Sequence, residues 1–386
     1  MDFQLTREQE MLKKLVKEFT ENEVAPLAAE IDRTGRFPEE TYKKMAEIGF
    51  TGLGTPVEFG GSGGDDIDKI IVVSEIAKRC AATAAILSIH TIFAQAILKF
   101  GTPEQKAKYL PMMGEQGKLG AFALTEPNAG TDAGSAKTTA IYDETTDEYV
   151  INGAKCFISG GGQASAVLVF ALTEPEKGLK GMSCIIVEKG TKGFSVGKIE
   201  EKMGIHGSET VELVFEDCRV PKANLVGREG KGFNIAMSCL DGARIGVAAQ
   251  ALGIAEGALE ESIKYTKERV QFGKPISQLQ GIQWYLAEMA TKVEAARWLI
   301  YYAADLKNKG KNFTKEAAMA KLNASTMARE VTNLALQIHG GYGYMRDYPL
   351  ERMYRDAKIT EIYEGTSEVH KIVISRAVLG EEGKWI

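Results

Sequence analysis

Helical spacing governs both ends of this 386-residue chain and strand signals govern its middle, so the sequence divides into three parts: 1–118, 119–228 and 229–386. In the middle part, Tyr149-Val150-Ile151 followed by Asn152-Gly153 reads as a strand entering a hairpin turn. Ala166 to Phe170, Cys184 to Val187 and Val211 to Phe215 are short runs rich in β-branched and aromatic residues. Several such strands bounded by Gly, Asn and Asp predict a small β-barrel or sandwich.

The flanking parts predict helices. Thr6 with Gln9 forms a capping box, and Met11, Leu12, Leu15, Val16 and Phe19 follow as an apolar stripe. Gly49 to Gly64 interrupts the pattern with seven glycines and a proline, which predicts a long loop before helices over 66–99 and 103–116. Past residue 229, stretches such as Val247 to Leu259 are rich in Ala and Gly, small enough for close helix packing, so a tight bundle is expected. The fold class is therefore mainly α with a β middle domain.

A formal net charge of −5 argues against a nucleic-acid or anionic-membrane partner. No apolar run approaches about 18 residues, so no membrane insertion is expected. Met1-Asp2-Phe3-Gln4-Leu5 lacks the basic and apolar regions of a signal peptide, which makes the cytoplasm the expected location. Five scattered cysteines without CxxC spacing, and four histidines without HxxxH, suggest neither a disulfide framework nor a metal site. Neither GxGxxG after a strand, nor GxxxxGK[ST], nor GxSxG is present, which disfavours Rossmann, P-loop and esterase readings.

Three segments carry candidate chemistry. Leu124 to Ser135 packs three hydroxyls and two glycines into a stretch too broken for a strand, leaving N–H groups and hydroxyls for phosphate or polar ring edges. Lys155 to Gly162 offers an aromatic ring at Phe157 and a hydroxyl at Ser159, two residues apart and so on one face of a strand. Ile362-Tyr363-Glu364-Gly365-Thr366-Ser367 sets a lone carboxylate between a ring and a glycine. Partial desolvation there raises the pKa, which makes Glu364 the best candidate for a catalytic base.

Four motifs in register, Leu124 to Asp132, Arg269 to Pro275, Gln337 to Gly343 and Ile362 to Thr366, resemble the acyl-CoA dehydrogenase family over essentially the whole chain. The resemblance implies an N-terminal helical domain, a central β-barrel and a C-terminal four-helix bundle, in a homotetramer with FAD between domains and subunits. By position, 122–131 (Phe122, Leu124, Thr125, Gly130, Thr131) and Phe157, Ile158 and Ser159 would hold the flavin, with Thr125 near the ring and Phe157 stacked on it. Arg269, Gln271, Phe272, Leu279, Gln280, Gln337, Gly340 and Gly341 would reach the flavin of a neighbouring subunit. Thr131, Asp241, Arg244, Tyr363 and Gly365 would contact acyl-CoA, while Thr366 to Glu368 would close over the cofactor.

The implied reaction is removal of the α-proton by Glu364 with loss of the β-hydrogen as hydride to FAD, giving trans-2-enoyl-CoA, or the reverse reduction. Electrons would pass to or from an electron-transferring flavoprotein. Phe157-Ile158-Ser159 stands where many members have Trp-Ile-Thr, Glu368 where Gln or Asn is usual, and His206 where many have Arg. Met203 to His206 and Leu240 to Gly246 look most like the bacterial short-chain, butyryl-CoA type. Branched-chain and long-chain members take their base from a glutamate at the position of Ala243, so that alternative is absent here.

Overall fold

The computed structural model describes residues 4–381, so Met1-Asp2-Phe3 of the N-terminal reading lie outside the described residues. The N-terminal part is helical: α1 (Arg7–Phe19), α2 (Ala25–Thr34), α3 (Glu39–Glu47), α4 (Asp66–Ala77), α5 (Ala81–Phe100) and α6 (Pro103–Met113). Thr6 caps α1 with the expected reciprocal bonds to Gln9. Of the apolar stripe, Val16 and Phe19 are buried, whereas Met11 and Leu15 are exposed. The helix expected over 66–99 is broken at 78–80, where Lys78 and Cys80 close the last turn of α4 on Ser74 and Ile76.

Although its sequence is punctuated by Thr, Ser and His, α5 is 20 residues long and apolar enough, by length and composition, to cross a membrane. Here 78% of its most apolar window is buried inside the protein, between α4, α7 (Gly232–Glu268) and the sheet. Its apolar character serves the core.

The middle part contains β1 (Gly120–Ala123), β2 (Thr139–Asp143), β3 (Glu148–Ser159), β4 (Ala166–Leu172), β5 (Met182–Glu188), β6 (Phe194–Ile199), β7 (Thr210–Pro221) and β8 (Leu225–Val226). They pair in the order β6-β7-β3-β2-β4-β5-β8, with β1 alongside β4. Val167, Val169 and Ile185 from one side of this path share an interior with Val211, Leu213 and Tyr149 from the other, so the sheet wraps around one core. Among the described residues no ladder joins β6 to β8, so the barrel is open along that seam. Strand β4 is buried on both faces, since Leu168 and Phe170 pack on the side of α5 and α7.

Asn152-Gly153 is not a hairpin turn. It lies inside β3, where the register with β7 shifts between Ile151 and Gly153, and Gly153 at φ 141° takes up the bulge because Thr138 fills the space of a Cβ. The turn falls instead at 143–148, where Asp147 takes the left-handed conformation.

The last part begins with α7 (Gly232–Glu268), runs through the two-residue strands β9 (Val270–Gln271) and β10 (Lys274–Pro275), and continues as α8 (Gln280–Asn308), α9 (Thr314–His339), α10 (Leu350–Ile359) and α11 (Ser367–Val378). Small residues let α7 approach α4 closely: a Cβ on Gly253 would stand 2.1 Å from the Ser74 carbonyl oxygen. One hydrophobic cluster runs from Val16 and Ile76 to Ile254, Met289 and Ala328, so the two helical parts share a core.

Candidate active site

The connection from α10 to α11 is short and heavily pinned. Glu361 accepts from Arg329 Nε at 2.9 Å and Lys358 Nζ at 2.6 Å, and its carbonyl accepts from Ser367 N at 3.1 Å. Thr366 caps α11 through its hydroxyl. Between them Glu364 (φ 55°) and Gly365 (φ 98°) are both left-handed, a conformation that costs a glutamate about 1 kcal/mol and turns its side chain inward. Glycine suits the next position, because L side chains rarely adopt φ 98° and a Cβ at 365 would also crowd Cε1 of His370 at 3.1 Å.

Inside the turn, Glu364 Oε2 is buried and has no hydrogen-bond partner. Burial pushes its carboxyl up to about 7, against the opposing pull of Lys321 and Arg244. Lys321, fully buried on α9, donates to the Gly365 carbonyl at 2.6 Å. Arg244 on α7 is paired with Asp241 at 2.5 Å, and Asp241 in turn accepts from Thr314 Oγ1 at 2.7 Å. Tyr363 donates its hydroxyl to Gln250, which is itself tied to the Ala81 carbonyl at 2.9 Å. The turn is thus anchored to α5, α7 and α9 at once.

A cavity of about 40 Å³ abuts the same stretch of α7, lined by Gly242, Ala243 and Gly246 and by Leu87, Ile92 and Gln95 of α5. Its polar end is closed by Lys307, which donates to Asp66 at 2.8 Å and to Gln95 at 3.4 Å.

Residues 122–131 and 157–159 form a second group. Strands β1 and β2 lie along the same edge of β4, so the chain between them leaves the sheet at Leu124 and returns at Thr139. That excursion is held by a buried ion pair: Lys155 Nζ donates to Glu126 at 2.7 Å and to the Leu124 carbonyl at 3.1 Å, and Glu126 also accepts from the N–H groups of Lys137 and Thr138. Cys156 N donates to the Thr125 carbonyl at 2.9 Å, which joins the loop to the 155–159 stretch of β3. Phe122 is anchored on Phe170, with ring centroids 4.7 Å apart, and Ile158 is buried. Gly130 and Thr131 lie at the surface, with open space where a Gly130 Cβ would stand.

The simple alternation expected for Phe157 and Ser159 does not hold. A register shift between Lys155 and Ile158 makes a bulge, in which Phe157 adopts φ 57° and is left 64% exposed. An aromatic ring held in a strained conformation and facing outward is a platform that packing within this chain does not explain.

The third group lines an open groove of about 570 Å³: Arg269, Gln271, Phe272, Leu279, Gly340 and Gly341. Arg269 sits over the Tyr342 ring at 5.4 Å. Phe272 and Gly273 form a left-handed pair at the tip of the β9–β10 hairpin, which leaves Phe272 90% exposed. Gln280 and Gln337, exposed at the start of α8 and the end of α9, stand outside the groove lining, and Glu368 is exposed on α11.

Lys321, His370, Gln250 and the Lys155–Glu126 pair were not singled out in the sequence. For Lys321 a signal existed, because a lysine at helical spacing from Ala317, Ala324 and Ala328 sits on a stripe that should be apolar.

Comparison with known proteins places these groups in context. Residues 6–116, 121–218 and 230–379 match the N-terminal, middle and C-terminal domains described as acyl-CoA dehydrogenase. The chain is 71% identical over 379 residues to the acryloyl-CoA reductase (NADH) of Anaerotignum propionicum, covering 98% of this chain and 96% of that protein. Its fold matches butyryl-CoA dehydrogenase from Megasphaera elsdenii with a TM-score of 0.96 at 50% identity, over 98% of this chain and 100% of the other. It matches equally a chain solved in work on the electron transferring flavoprotein of Acidaminococcus fermentans and flavin-based electron bifurcation, with a TM-score of 0.96, 53% identity and coverage of 98% and 100%.

Proposed function

The chain belongs to the acyl-CoA dehydrogenase family, FAD-dependent oxidoreductases acting on acyl-CoA, and on that premise we propose that it interconverts a short-chain acyl-CoA and its trans-2-enoyl-CoA with Glu364 as the α-proton base. The observation that carries the reading is the buried, unpartnered Oε2 of Glu364, within electrostatic reach of Arg244 on α7, the helix that also lines the 40 Å³ cavity at Gly242 and Ala243. A carboxylate desolvated in this way, raised to about 7, takes a proton from a weak carbon acid more readily than a solvated one. The backbone N–H of Glu364 and the closed surroundings favour charge developing on the thioester oxygen. Ala243 offers no competing carboxylate.

The residues present fit FAD. Phe157 supplies a ring with no packing role of its own, the 124–131 excursion leaves hydroxyls and N–H groups off the sheet, and Gly130 leaves room for close approach. When bound, FAD would supply the hydride acceptor for the β-hydrogen in the oxidative direction. Phe122, Leu124, Thr125, Gly130, Thr131, Phe157, Ile158, Ser159, Thr366 and Glu368 would hold it from this chain. Arg269, Gln271, Phe272, Leu279, Gln280, Gln337, Gly340 and Gly341 would reach the flavin of a second copy in a homotetramer. Asp241 and Arg244, with Thr131, Tyr363 and Gly365, would bind the substrate.

The polar end of the cavity at Gln95 and Lys307 supports a short acyl group, since a longer tail would press methylenes onto a lysine and its carboxylate partner. An electron-transferring flavoprotein is the proposed redox partner, because the chain carries no nicotinamide-binding fingerprint. The name of the Anaerotignum propionicum relative includes NADH; for this chain the proposal expects that NADH alone does not turn over the isolated protein.

A panel of acyl-CoA thioesters added anaerobically to the purified flavoprotein tests the reading. Propionyl-CoA and butyryl-CoA should bleach the flavin far faster than octanoyl-CoA. Bleaching by none of them would remove the assignment.

A further inference from the structure

The buried cation nearest the Glu364 turn has no place in the mechanism above. Lys321 is fully buried on α9, on the face that otherwise presents Ala317, Ala324 and Ala328, and its Nζ reaches the Gly365 carbonyl at 2.6 Å. A neutral acceptor does not by itself balance a buried ammonium.

The charged and titratable groups around the pair come from three segments. From α7, Arg244 is already paired with Asp241, and Cys239 is held as a neutral thiol by burial. From the α10–α11 connection, Glu361 is taken by Arg329 and Lys358, and Tyr363 is held neutral by burial. From α11, Glu368 is exposed, and His370, buried with neither ring nitrogen partnered, is pushed down to about 3 and so brings no charge. That leaves Glu364 and Lys321 as each other's uncommitted counter-charge. Burial acts in opposite senses on the two, raising the carboxyl and lowering the ammonium.

We propose that Lys321 is the positioning residue of this site: it grips the Gly365 carbonyl to fix the left-handed turn that aims Glu364, and its positive charge keeps that buried carboxylate ionised. The bleaching readout rests on Glu364 being the base; the fixed turn and the charge coupling do not. The direction of the effect follows from the charges. Removing the cation leaves burial less opposed, so the proton affinity of Glu364 rises and the ionised base is lost at higher pH than in the wild type.

The test uses the FAD-loaded wild type, Lys321→Gln, Lys321→Arg and Glu364→Gln. An infrared pH titration follows the carboxyl band that disappears in Glu364→Gln, and anaerobic flavin bleaching by butyryl-CoA is followed over the same pH range. In Lys321→Gln the band and the acid limb of the bleaching profile should both move up by about one pH unit or more, as loss of a nearby opposite charge requires. Lys321→Arg, which keeps the charge, should leave the acid limb in place even if the plateau rate falls. A uniform loss of rate in Lys321→Gln with an unshifted band would reduce Lys321 to a structural lysine and overturn the proposal. So would an acid limb in Lys321→Arg displaced as far as in Lys321→Gln, since the arginine keeps the charge. If the band shifts while no thioester bleaches the wild type, the coupling stands and the assignment of Glu364 as base fails.

Discussion

A buried ion pair and a buried, unpartnered carboxylate show how single residues set the geometry of this protein. The carboxylate at 364 was conspicuous in the sequence between Tyr363 and Gly365; Lys321, the buried cation proposed to act on it, was not, because it lies 43 positions upstream on α9. The Lys155–Glu126 pair was hidden for the same reason, since only the folded sheet brings the start of the excursion against β3. Breaking that pair from one side should be costly, because Glu126 would keep its charge in a buried site. Lys155→Met is expected to lose about 3 kcal/mol of stability and to release FAD, as read by thermal unfolding and flavin content. The double variant Lys155→Met with Glu126→Gln should recover part of both. A single variant as stable and as yellow as the wild type would show that the pair does not hold the loop.

At the scale of elements, helices were readable where one face was apolar and the caps were strong, as at Thr6. Strand interiors rich in Val and Ile were readable too. Bulges were not, because a bulge depends on the partner strand: Asn152-Gly153 has hairpin chemistry, yet β7 opposes it and keeps it in the ladder. The same blindness hid the outward turn of Phe157. Close packing of α7 on α4 was readable from the Ala and Gly content of 247–259, and it makes a quantitative claim. Gly253→Ala would drive a methyl group to within 2.1 Å of the Ser74 carbonyl oxygen, a backbone atom that cannot step aside. Destabilisation of about 1–3 kcal/mol is expected, measured by chemical denaturation. A neutral or stabilising result would mean that the two helices can separate without cost.

Over the whole molecule, one 37-residue helix ties two sites together. Near its start α7 carries Asp241, Ala243 and Arg244, and immediately past its end stands Arg269 in the open groove, roughly 40 Å away at 1.5 Å per residue. Sites so far apart on one rigid element suit an assembly in which one copy completes the site of another. Phe272 on its hairpin, with Trp284 and Tyr344, is an exposed aromatic on this part, the kind of surface the proposed homotetramer would cover. If Arg269 reaches a neighbour's flavin, Arg269→Ala should lose FAD and tetramer together. Size-exclusion chromatography with flavin quantification checks this, and a full complement of FAD in an intact tetramer would contradict it.

The most direct measurement is the rate of anaerobic flavin bleaching by saturating butyryl-CoA in the wild type, in Glu364→Gln, and in Glu364→Gln combined with Ala243→Glu. Glutamine keeps the size of the side chain but cannot take the proton, so the single variant should bind the thioester and bleach slower by about 10² to 10⁴-fold or more. The double variant, with a carboxylate restored from the neighbouring turn of α7, should regain part of that rate. Bleaching of Glu364→Gln within a factor of about three of the wild type would show that the proton leaves by another route.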